Sequence, residues 1–321
     1  MALDKKDVCM IVYSTVKTMF QRLVTHRTSG AFKEAIWGYF FTLPWLIGFV
    51  VFSAGPICAV IYFGFTRYDI LSSAYWIGLK NYSKMLYDPL FWKSLYNTVY
   101  FVFFSVSLRM FLGFILALLV NRNIKGITII RSIFYLPVVV PIVATSMLWC
   151  WILQPHLGVI NYLSELLGLP HILWIVTERW SKPSIVLVSL WTVGETMVIF
   201  LAGLQNVPEQ LYEAAEIDGT GPWNKLIRIT IPMLTPTIFF NLIISIINSF
   251  QVFAFAYIIT GGGPLDSTLF YVLYIFQQGF KYFHMGYASA LAVILLLLVV
   301  SLTIYLFRSS ESWVYYEAER K

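Results

Sequence analysis

Long runs without Asp, Glu, Lys or Arg recur along this 321-residue chain. A helix that crosses the hydrocarbon core of a bilayer needs about 20 apolar residues. Four uncharged runs are long enough, namely 35–66, 132–164, 229–265 and 282–307. Two more qualify if one central charge is allowed, namely 94–121 around Arg109 and 183–208 around Glu195. The pattern predicts an all-α membrane protein with six transmembrane helices, and the longest runs are expected to include turns, re-entrant pieces or interfacial segments.

The composition agrees with a membrane protein. Hydrophobic residues make up 59% of the chain and charged residues only 12%, whereas an average soluble protein carries about 25% charged residues. A soluble cytosolic enzyme is therefore excluded. Lys and Arg are distributed unevenly between the loops, because 14 lie on the side of the N-terminus and seven on the other side. Since positively charged loops stay in the cytoplasm, both termini are predicted to be cytoplasmic.

Charged segments flank the predicted spans, which occupy residues 35–308. Within residues 1–34, apolar side chains recur at helical spacing from Val8 to Leu23, with basic side chains elsewhere on the helical wheel. This pattern predicts a basic amphipathic helix on the inner leaflet of the membrane, and a disordered basic tail is the alternative. Residues 309–321 are predicted to form a cytoplasmic tail.

A long patterned loop, residues 207–230, lies on the predicted cytoplasmic side. Pro208 suits the first helical position, and Gly219 suits the left-handed residue that follows a helix. The chain then restarts as a second short helix, so the pattern predicts a helix-turn-helix at the membrane face. The first helix carries an acidic stripe of Glu209, Glu213 and Glu216. Such a stripe can dock into a groove of a partner protein, or it can belong to a solvated connector.

The same loop carries a recognisable signature. Glu213-Ala214-Ala215, Asp218-Gly219, Ile231-Pro232 and Pro236 resemble the EAA motif of the permease subunits of binding-protein-dependent ABC importers. In that family the motif forms a coupling helix held in a cleft of the cytoplasmic ATPase. The resemblance assigns ATPase coupling to Glu209, Glu213, Ala214, Ala215, Glu216, Asp218 and Gly219. Thr220 departs from the family, which most often has Ala at that position.

Motifs outside the loop resemble the maltose and glycerol-phosphate branch of that family. They are Asn97-Thr98, Arg131 with Tyr135-Leu136-Pro137, Gly158 with Ile160-Asn161, and 260–264 (Thr-Gly-Gly-Gly-Pro) with Ser267-Thr268. The resemblance covers residues 37–307 and implies a fold like that of type I ABC importers. It also implies a second, different permease subunit, two ATPase subunits, an extracytoplasmic solute-binding protein and contact with lipid, but no nucleic acid. The chain is expected in the bacterial cytoplasmic (inner) membrane, where it translocates a sugar, foremost an oligosaccharide, with an acidic sugar left open.

The sequence lacks the motifs of nucleotide binding and catalysis. No G-x-x-x-x-G-K-[ST] loop is present, so ATP and Mg²⁺ are expected to bind to the partner ATPases. The three cysteines lie far apart, without the C-x-x-C spacing of a metal site. We therefore expect a transport subunit rather than an enzyme. The alternatives are an ion-coupled secondary carrier and an ABC permease for a non-sugar solute such as a phosphate ester.

Two ionisable residues, Arg109 and Glu195, fall near the middle of predicted spans, where an unpaired charge is costly. They are expected either to pair with each other or to bind the solute. The fifth span adds one polar face made of Ser245, Asn248, Ser249 and Val252, a pattern that also occurs where helices merely pack together. In the maltose permease that this chain resembles, that span and the one before the loop line the sugar site. The resemblance therefore adds Trp191, Thr192, Val193, Glu195 and Thr196 as substrate-binding candidates.

Overall fold

The computed structural model describes residues 29–122 and 124–315 of the chain. The amphipathic helix predicted between Val8 and Leu23 lies outside the described residues, as does the end of the chain from 316 to 321. The chain separates into two compact units, the first ending at Val60 and the second starting at Ile61.

The described part of the first unit is helical. Helix α1 spans Ser29–Phe49 and is followed by a π-helical turn at Val50–Ala54. Helix α2, Gly55–Gly64, comes next and contains the boundary between the units. From Phe32 to Gly64 the chain forms a helical stretch of 33 residues that is long and apolar enough to cross a bilayer.

The second unit is mainly helical, with one antiparallel pair of short strands, β1 (Thr66–Arg67) and β2 (Tyr75–Trp76). Its helices are α3 (Lys80–Leu86), α4 (Pro89–Val120), α5 (Ile127–Val139), α6 (Ile142–Ile152), α7 (Val159–Leu166), α8 (Glu178–Ser189), α9 (Gly194–Gln205), α10 (Glu209–Ile217), α11 (Pro222–Lys225), α12 (Ile231–Met233), α13 (Thr235–Phe250), α14 (Tyr271–Phe276) and α15 (Met285–Ser310). A 3-10 turn lies at Leu190–Thr192, and π-helical turns lie at Leu226–Thr230, Ala256–Thr260 and Gln277–Lys281. The predicted helical membrane fold is confirmed in this coarse form.

Within the described residues, three helical stretches are each long and apolar enough to cross a membrane: Phe32–Gly64, α4 and α15. Three helix pairs reach that length only together, because each bends at a short break. The bends are 97° between α5 and α6, 47° between Glu178–Thr192 and α9, and 64° between Pro222–Met233 and α13. The uncharged runs 132–164 and 229–265 are thus not single straight helices. Six spans remain a prediction, because that count requires each bent pair to cross the membrane once.

Helix α4 is central to the second unit, where it packs against α9 and α13. Gly113 permits a close approach of α9, because a β-carbon at this position would lie 2.7 Å from Cγ2 of Thr196. Near the start of α4, Asn97 donates hydrogen bonds to the carbonyls of Asp266 and Leu269 at 2.9 and 3.1 Å. Two motifs that are distant in sequence therefore meet in one contact.

Asp88 fixes the start of α4. Its carboxylate caps the helix by accepting a hydrogen bond from the backbone N–H of Leu90 at 3.0 Å. The hydroxyls of Tyr274 and Tyr287 donate to the same carboxylate, the latter at 2.6 Å. Burial alone would raise the pKa of Asp88, but these hydrogen bonds outweigh burial and lower the pKa below its usual value. One carboxylate thus joins α4, α14 and α15 at one end of the unit.

The close packing of two broken helices leaves no room for a side chain at Gly194. It begins α9, and a β-carbon here would lie 2.1 Å from the carbonyl oxygen of Phe134 in α5. We predict that Gly194→Ala lowers the melting temperature of the detergent-solubilised protein, because such overpacking costs about 1–3 kcal/mol. Gly48→Ala is the matched control, since nothing lies within 4 Å of its β-carbon position. Equal melting temperatures for the two variants would contradict the close packing.

Candidate solute cavity and coupling loop

A cavity of about 620 Å³ lies in the second unit between α4, the α5–α6 break, the α8–α9 break and the end of α13. This volume falls in the range of small-molecule sites. The wall combines apolar side chains with charged, amide and hydroxyl groups. It is formed by Phe101, Arg109, residues 138–142, Thr145, Ser189, Thr192, Glu195, Asn248, Ser249 and residues 251–255.

Six of the predicted substrate-binding residues meet in this cavity: Arg109, Thr192, Glu195, Asn248, Ser249 and Val252. Four do not line it: Trp191, Val193, Thr196 and Ser245. Thr196 and Ser245 are buried between helices, with Thr196 at the close approach to Gly113. Trp191 packs edge-on against Trp149, with ring centroids 5.6 Å apart. Trp191, Thr196 and Ser245 therefore pack against other parts of the protein rather than facing the cavity.

Arg109 closes the break between α8 and α9. A helix end leaves backbone carbonyls without partners inside their own helix. Nη2 of Arg109 donates to one of these, the carbonyl of Ser189, at 2.8 Å, and Oγ1 of Thr192 approaches the same oxygen at 3.3 Å. Nε of Arg109 is buried and has no hydrogen-bond partner among the described residues. The guanidinium therefore clamps the break and keeps one donor unused.

Glu195 lies in the first turn of α9 with an exposed side chain. The positive end of the helix dipole favours a carboxylate at this position. In the described ranges, ion pairs join Arg67 with Asp69 and Lys225 with Glu216. Arg109 and Glu195 thus line one cavity without forming an ion pair, so the alternative of direct pairing is not realised in this structure. Both side chains retain hydrogen-bonding capacity for a solute.

Ser249 connects two walls of the cavity. The hydroxyl of Ser105 in α4 donates to the hydroxyl of Ser249 in α13 at 3.3 Å, and both residues are buried. Asn248, the neighbouring residue, has an exposed side chain that faces the cavity. The polar face of α13 therefore contains both features that its sequence pattern allows. Ser249 makes a contact between helices, and Asn248 presents its amide to the cavity.

Two stretches of the wall are not identified by sequence reasoning about polar groups. Residues 138–142 line the cavity at the α5–α6 break, and residues 253–255 line it after α13. Pro137 and Pro141 give a signal for the first stretch, because proline interrupts helical hydrogen bonding. The second stretch has no comparable signal, since its apolar residues continue an uncharged run.

The loop at residues 207–230 contains the predicted helix-turn-helix. Helix α10 begins at Glu209 rather than at Pro208, because Pro208 has extended backbone (ψ 129°) and occupies the N-cap position. Gly219 adopts the left-handed conformation with φ 68°, as predicted. The amide of Thr220 donates to the carbonyl of Ala215 at 2.8 Å and closes the helix end.

The predicted acidic stripe of α10 is exposed. Glu209, Glu213 and Glu216 are exposed residues, as are Ala214, Asp218 and Gly219. Ala215, by contrast, is only 6% exposed. The helix therefore buries a small residue on one side and presents carboxylates on the other. Within the described chain, no ion pair involves Glu209 or Glu213.

Two contacts join α10 to the segment that follows it. Nζ of Lys225 in α11 donates to Oε1 of Glu216 at 2.7 Å. The hydrogen bond from Lys225 and its positive charge lower the pKa of Glu216. The hydroxyl of Tyr212 lies 2.9 Å from Oγ1 of Thr230, which is buried. The hairpin is therefore braced by one polar contact near its tip and another near its base.

Residues 109–310 match the family described as "Binding-protein-dependent transport system inner membrane component". The chain belongs to this family. It is 41% identical over 294 residues to the probable ABC transporter permease protein YesP of Bacillus subtilis (strain 168), a match covering 90% of this chain and 95% of YesP. It is also 34% identical to the sulfoquinovosyl glycerol transport system permease protein SmoG of Agrobacterium fabrum (strain C58), over 77% of this chain and 82% of SmoG.

A solved structure supports the fold of this permease. It is a bacterial ABC transporter involved in the import of the acidic polysaccharide alginate, matched with a TM-score of 0.81 over 90% of this chain and 100% of that one. The sequence identity is 22%.

The sequence resemblance to binding-protein-dependent permeases is confirmed by the family match. The chain is a multi-pass transport component rather than an enzyme, and its family operates with an ATPase and a solute-binding protein.

Replacing Arg109 tests its clamp on the α8–α9 break. We predict that Arg109→Met lowers the melting temperature of the solubilised permease, because a hydrogen bond from a charged group contributes about 1.5–3 kcal/mol. Arg109→Lys keeps the charge but lacks the planar guanidinium, so it is expected to recover part of the loss. Arg308→Met, in the exposed last turn of α15, serves as the control. The clamp contributes nothing if Arg109→Met is as stable as Arg308→Met.

Proposed function

We propose that this permease subunit imports a sugar, using ATP hydrolysed by partner ATPase subunits. The observation that carries the proposal is the cavity of about 620 Å³, whose wall mixes charged and amide groups with aromatic rings. A sugar has polar edges and more apolar faces, so it is recognised by hydrogen bonds at its edges and by apolar contacts at its faces.

The roles proposed for the wall follow from donor and acceptor chemistry. Glu195 accepts hydrogen bonds from sugar hydroxyls, Asn248 both donates and accepts, and the guanidinium of Arg109 donates. Phe253 and Phe255 supply apolar surface beside them. The candidates that do not line the cavity are proposed to support its wall: Trp191, Val193, Thr196 and Ser245.

The relatives support a sugar as the solute. The name of SmoG refers to the transport of sulfoquinovosyl glycerol, a sugar glycoside. In this permease the guanidinium of Arg109 in the cavity wall favours a solute with an acidic group, since charge-assisted hydrogen bonds are the stronger ones. We therefore propose an acidic sugar as the second, finer candidate. A phosphate ester carries the same kind of group, and the experiment below separates these solutes.

The acidic stripe of α10 is proposed to dock into a cleft of the ATPase. Its carboxylates are exposed, and Glu209 and Glu213 are not engaged in ion pairs within the described chain. The small side chains of Ala214 and Ala215 permit close approach of a partner. In this proposal, closure of the ATPases on ATP moves α10, and the bent spans rotate so that the cavity opens to the outside.

The arrangement in the membrane is proposed from the charges of the loops. Residues 35–308 form six spans, while residues 1–34 and 309–321 lie in the cytoplasm of a bacterium, because Lys and Arg predominate on that side. The last described residues pack back on α13: the amide of Tyr315 donates to Oγ1 of Thr235 at 2.9 Å. A second, different permease completes the pore, and the solute-binding protein delivers sugar to the outer loops.

Co-purification with an ATPase assay tests the proposed function. The detergent-solubilised chain is captured from its native membrane, and the ATPase activity of the eluate is measured with the host's solute-binding proteins. The panel contains neutral oligosaccharides, acidic oligosaccharides and phosphate esters. A co-eluting ATPase stimulated by one sugar class supports the proposal and identifies the solute class. A chain that elutes without a nucleotide-binding partner would favour the ion-coupled secondary carrier.

Reversing one charge of the stripe tests the coupling role. We predict that Glu213→Lys abolishes both sugar transport and ATPase co-purification, because the carboxylate that faces the partner becomes a cation. Membrane insertion is expected to be unchanged, since the side chain is exposed. Glu165→Lys is the matched control, because Glu165 is an exposed glutamate in α7. Normal transport by Glu213→Lys would refute the coupling role of α10.

A further inference from the structure

Two adjoining cavities lie beside the start of α4, far from the solute cavity along the chain. One has a volume of about 320 Å³ and the other of about 420 Å³, and both are lined by Lys84, His284 and Tyr287. We call the pair the outer pocket, because the proposed topology places it on the extracytoplasmic side. Arg109 follows Asp88 by 21 residues of α4, or about 30 Å of helix, so a solute from outside encounters the outer pocket first.

The rim of the outer pocket is held by buried contacts. Asn81 is buried and donates to the carbonyls of Gly64 and Thr66 at 2.9 and 2.8 Å. The amide of Gly286 donates to the carbonyl of Tyr68 at 3.0 Å. A β-carbon at Gly286 would lie 2.2 Å from the carbonyl oxygen of Thr66. The strand pair, α3 and α15 are therefore fixed around the pocket before any ligand arrives.

Two ammonium groups of the outer pocket lack carboxylate partners. Arg67 is paired with Asp69 at 3.5 Å. The Asp88 carboxylate accepts three hydrogen bonds, as described above, and forms no ion pair with a described residue. In the described ranges, neither Lys80 nor Lys84 has an ion-pair partner. Among the described residues, the pocket wall thus carries two unpaired ammonium groups against the one unpaired carboxylate of Asp88, and Nζ of Lys84 lies 4.6 Å from the ring centroid of Tyr287.

Groups suited to hydroxyls surround these lysines. Nδ1 of His284 lies 3.1 Å from Oε1 of Gln278, and both side chains line the larger cavity. The aromatic ring of Tyr87 is 84% exposed at the same wall. A protein carboxylate docking from outside needs only the lysines, whereas a sugar acid also uses the hydroxyl partners, the ring and the enclosed volume.

We propose that the outer pocket binds one acidic sugar unit, with its carboxylate on Lys80 and Lys84 and its hydroxyls on His284 and Gln278. The inference rests on the proposed sugar import and narrows its substrate class to carboxylated sugars. It also assigns a recognition site in this subunit that is separate from the solute cavity.

Direct binding to the assembled transporter tests the proposal. The permease with its partner permease and ATPases is placed in lipid nanodiscs without the solute-binding protein, and calorimetry compares cellobiouronic acid with neutral cellobiose. We expect the acid to bind at least tenfold more tightly. In the Lys80→Gln/Lys84→Gln double variant, the Kd of the acid is expected to rise at least tenfold, because both charge-assisted contacts are removed.

Lys281→Gln is the matched control, because Lys281 is exposed on the same side, lies 5.6 Å from the ring centroid of Tyr282 and does not line the outer pocket. Its Kd for the acid should change less than twofold. Equal affinities for acid and neutral sugar overturn the proposal, and so does an unchanged Kd in the double variant. The solute-binding protein is then added to the same nanodiscs, and a double variant that loses only the binding of this protein makes the pocket a protein-docking surface, which also overturns the proposal.

The ATPase readout separates this inference from the proposed function. If the double variant keeps full sugar-stimulated ATPase activity and an unchanged Kd, the importer stands and only the outer pocket is refuted. If no sugar stimulates ATPase activity in the unaltered complex, the proposed sugar import fails instead.

Discussion

The bilayer imposes one constraint on which this structure depends: backbone polar groups inside it must be satisfied by the protein. A bent span exposes carbonyls that a straight helix would bond internally. In this permease an arginine side chain supplies the missing hydrogen-bond donor to such a carbonyl at two helix ends. Arg109 donates to the carbonyl of Ser189 at the α8–α9 break, and Arg131 donates to the carbonyl of Val120 at the end of α4 at 2.8 Å. The α8–α9 break is therefore tolerated because a charged side chain from another helix reaches it.

The same constraint explains why the cavity lies where it does. A break supplies polar backbone and a change of direction, so side chains on both sides of it can face a common space. The α5–α6 and α8–α9 breaks lie close together. Gly194, at the start of α9, packs so closely against the carbonyl of Phe134 in α5 that a β-carbon would not fit. A change of bend at one break must alter the contact at the other. The proposed solute site and the spans proposed to rotate are consequently the same elements.

Sequence patterns predict the features that depend on nearby residues. The uncharged runs locate the three straight membrane helices, and Pro208 locates the start of α10 to within one residue. The bend after Val139 is signalled only by Pro137 and Pro141, because apolar residues continue through the break, and its angle of 97° is set by tertiary packing. The chemistry of Arg109 identifies it as a site residue, but its bond to Ser189 joins positions that only tertiary packing brings together. For the same reason Thr196, one residue after Glu195, contacts Gly113 instead of lining the cavity.

Helix α13 connects the coupling loop to the cavity in one continuous element. The π-helical turn at Leu226–Thr230 and the 64° bend lead from the loop into α13, whose first residue is held by the amide of Tyr315. Asn248 follows Thr235 by 13 residues, or about 20 Å of helix. Because a helix of this length tilts more readily than it compresses, the proposed displacement of α10 would reach Asn248 as a rotation about the bend. Such a rotation would move the α13 side of the cavity wall as a rigid helix, which is a form of motion that changes access without dismantling the site.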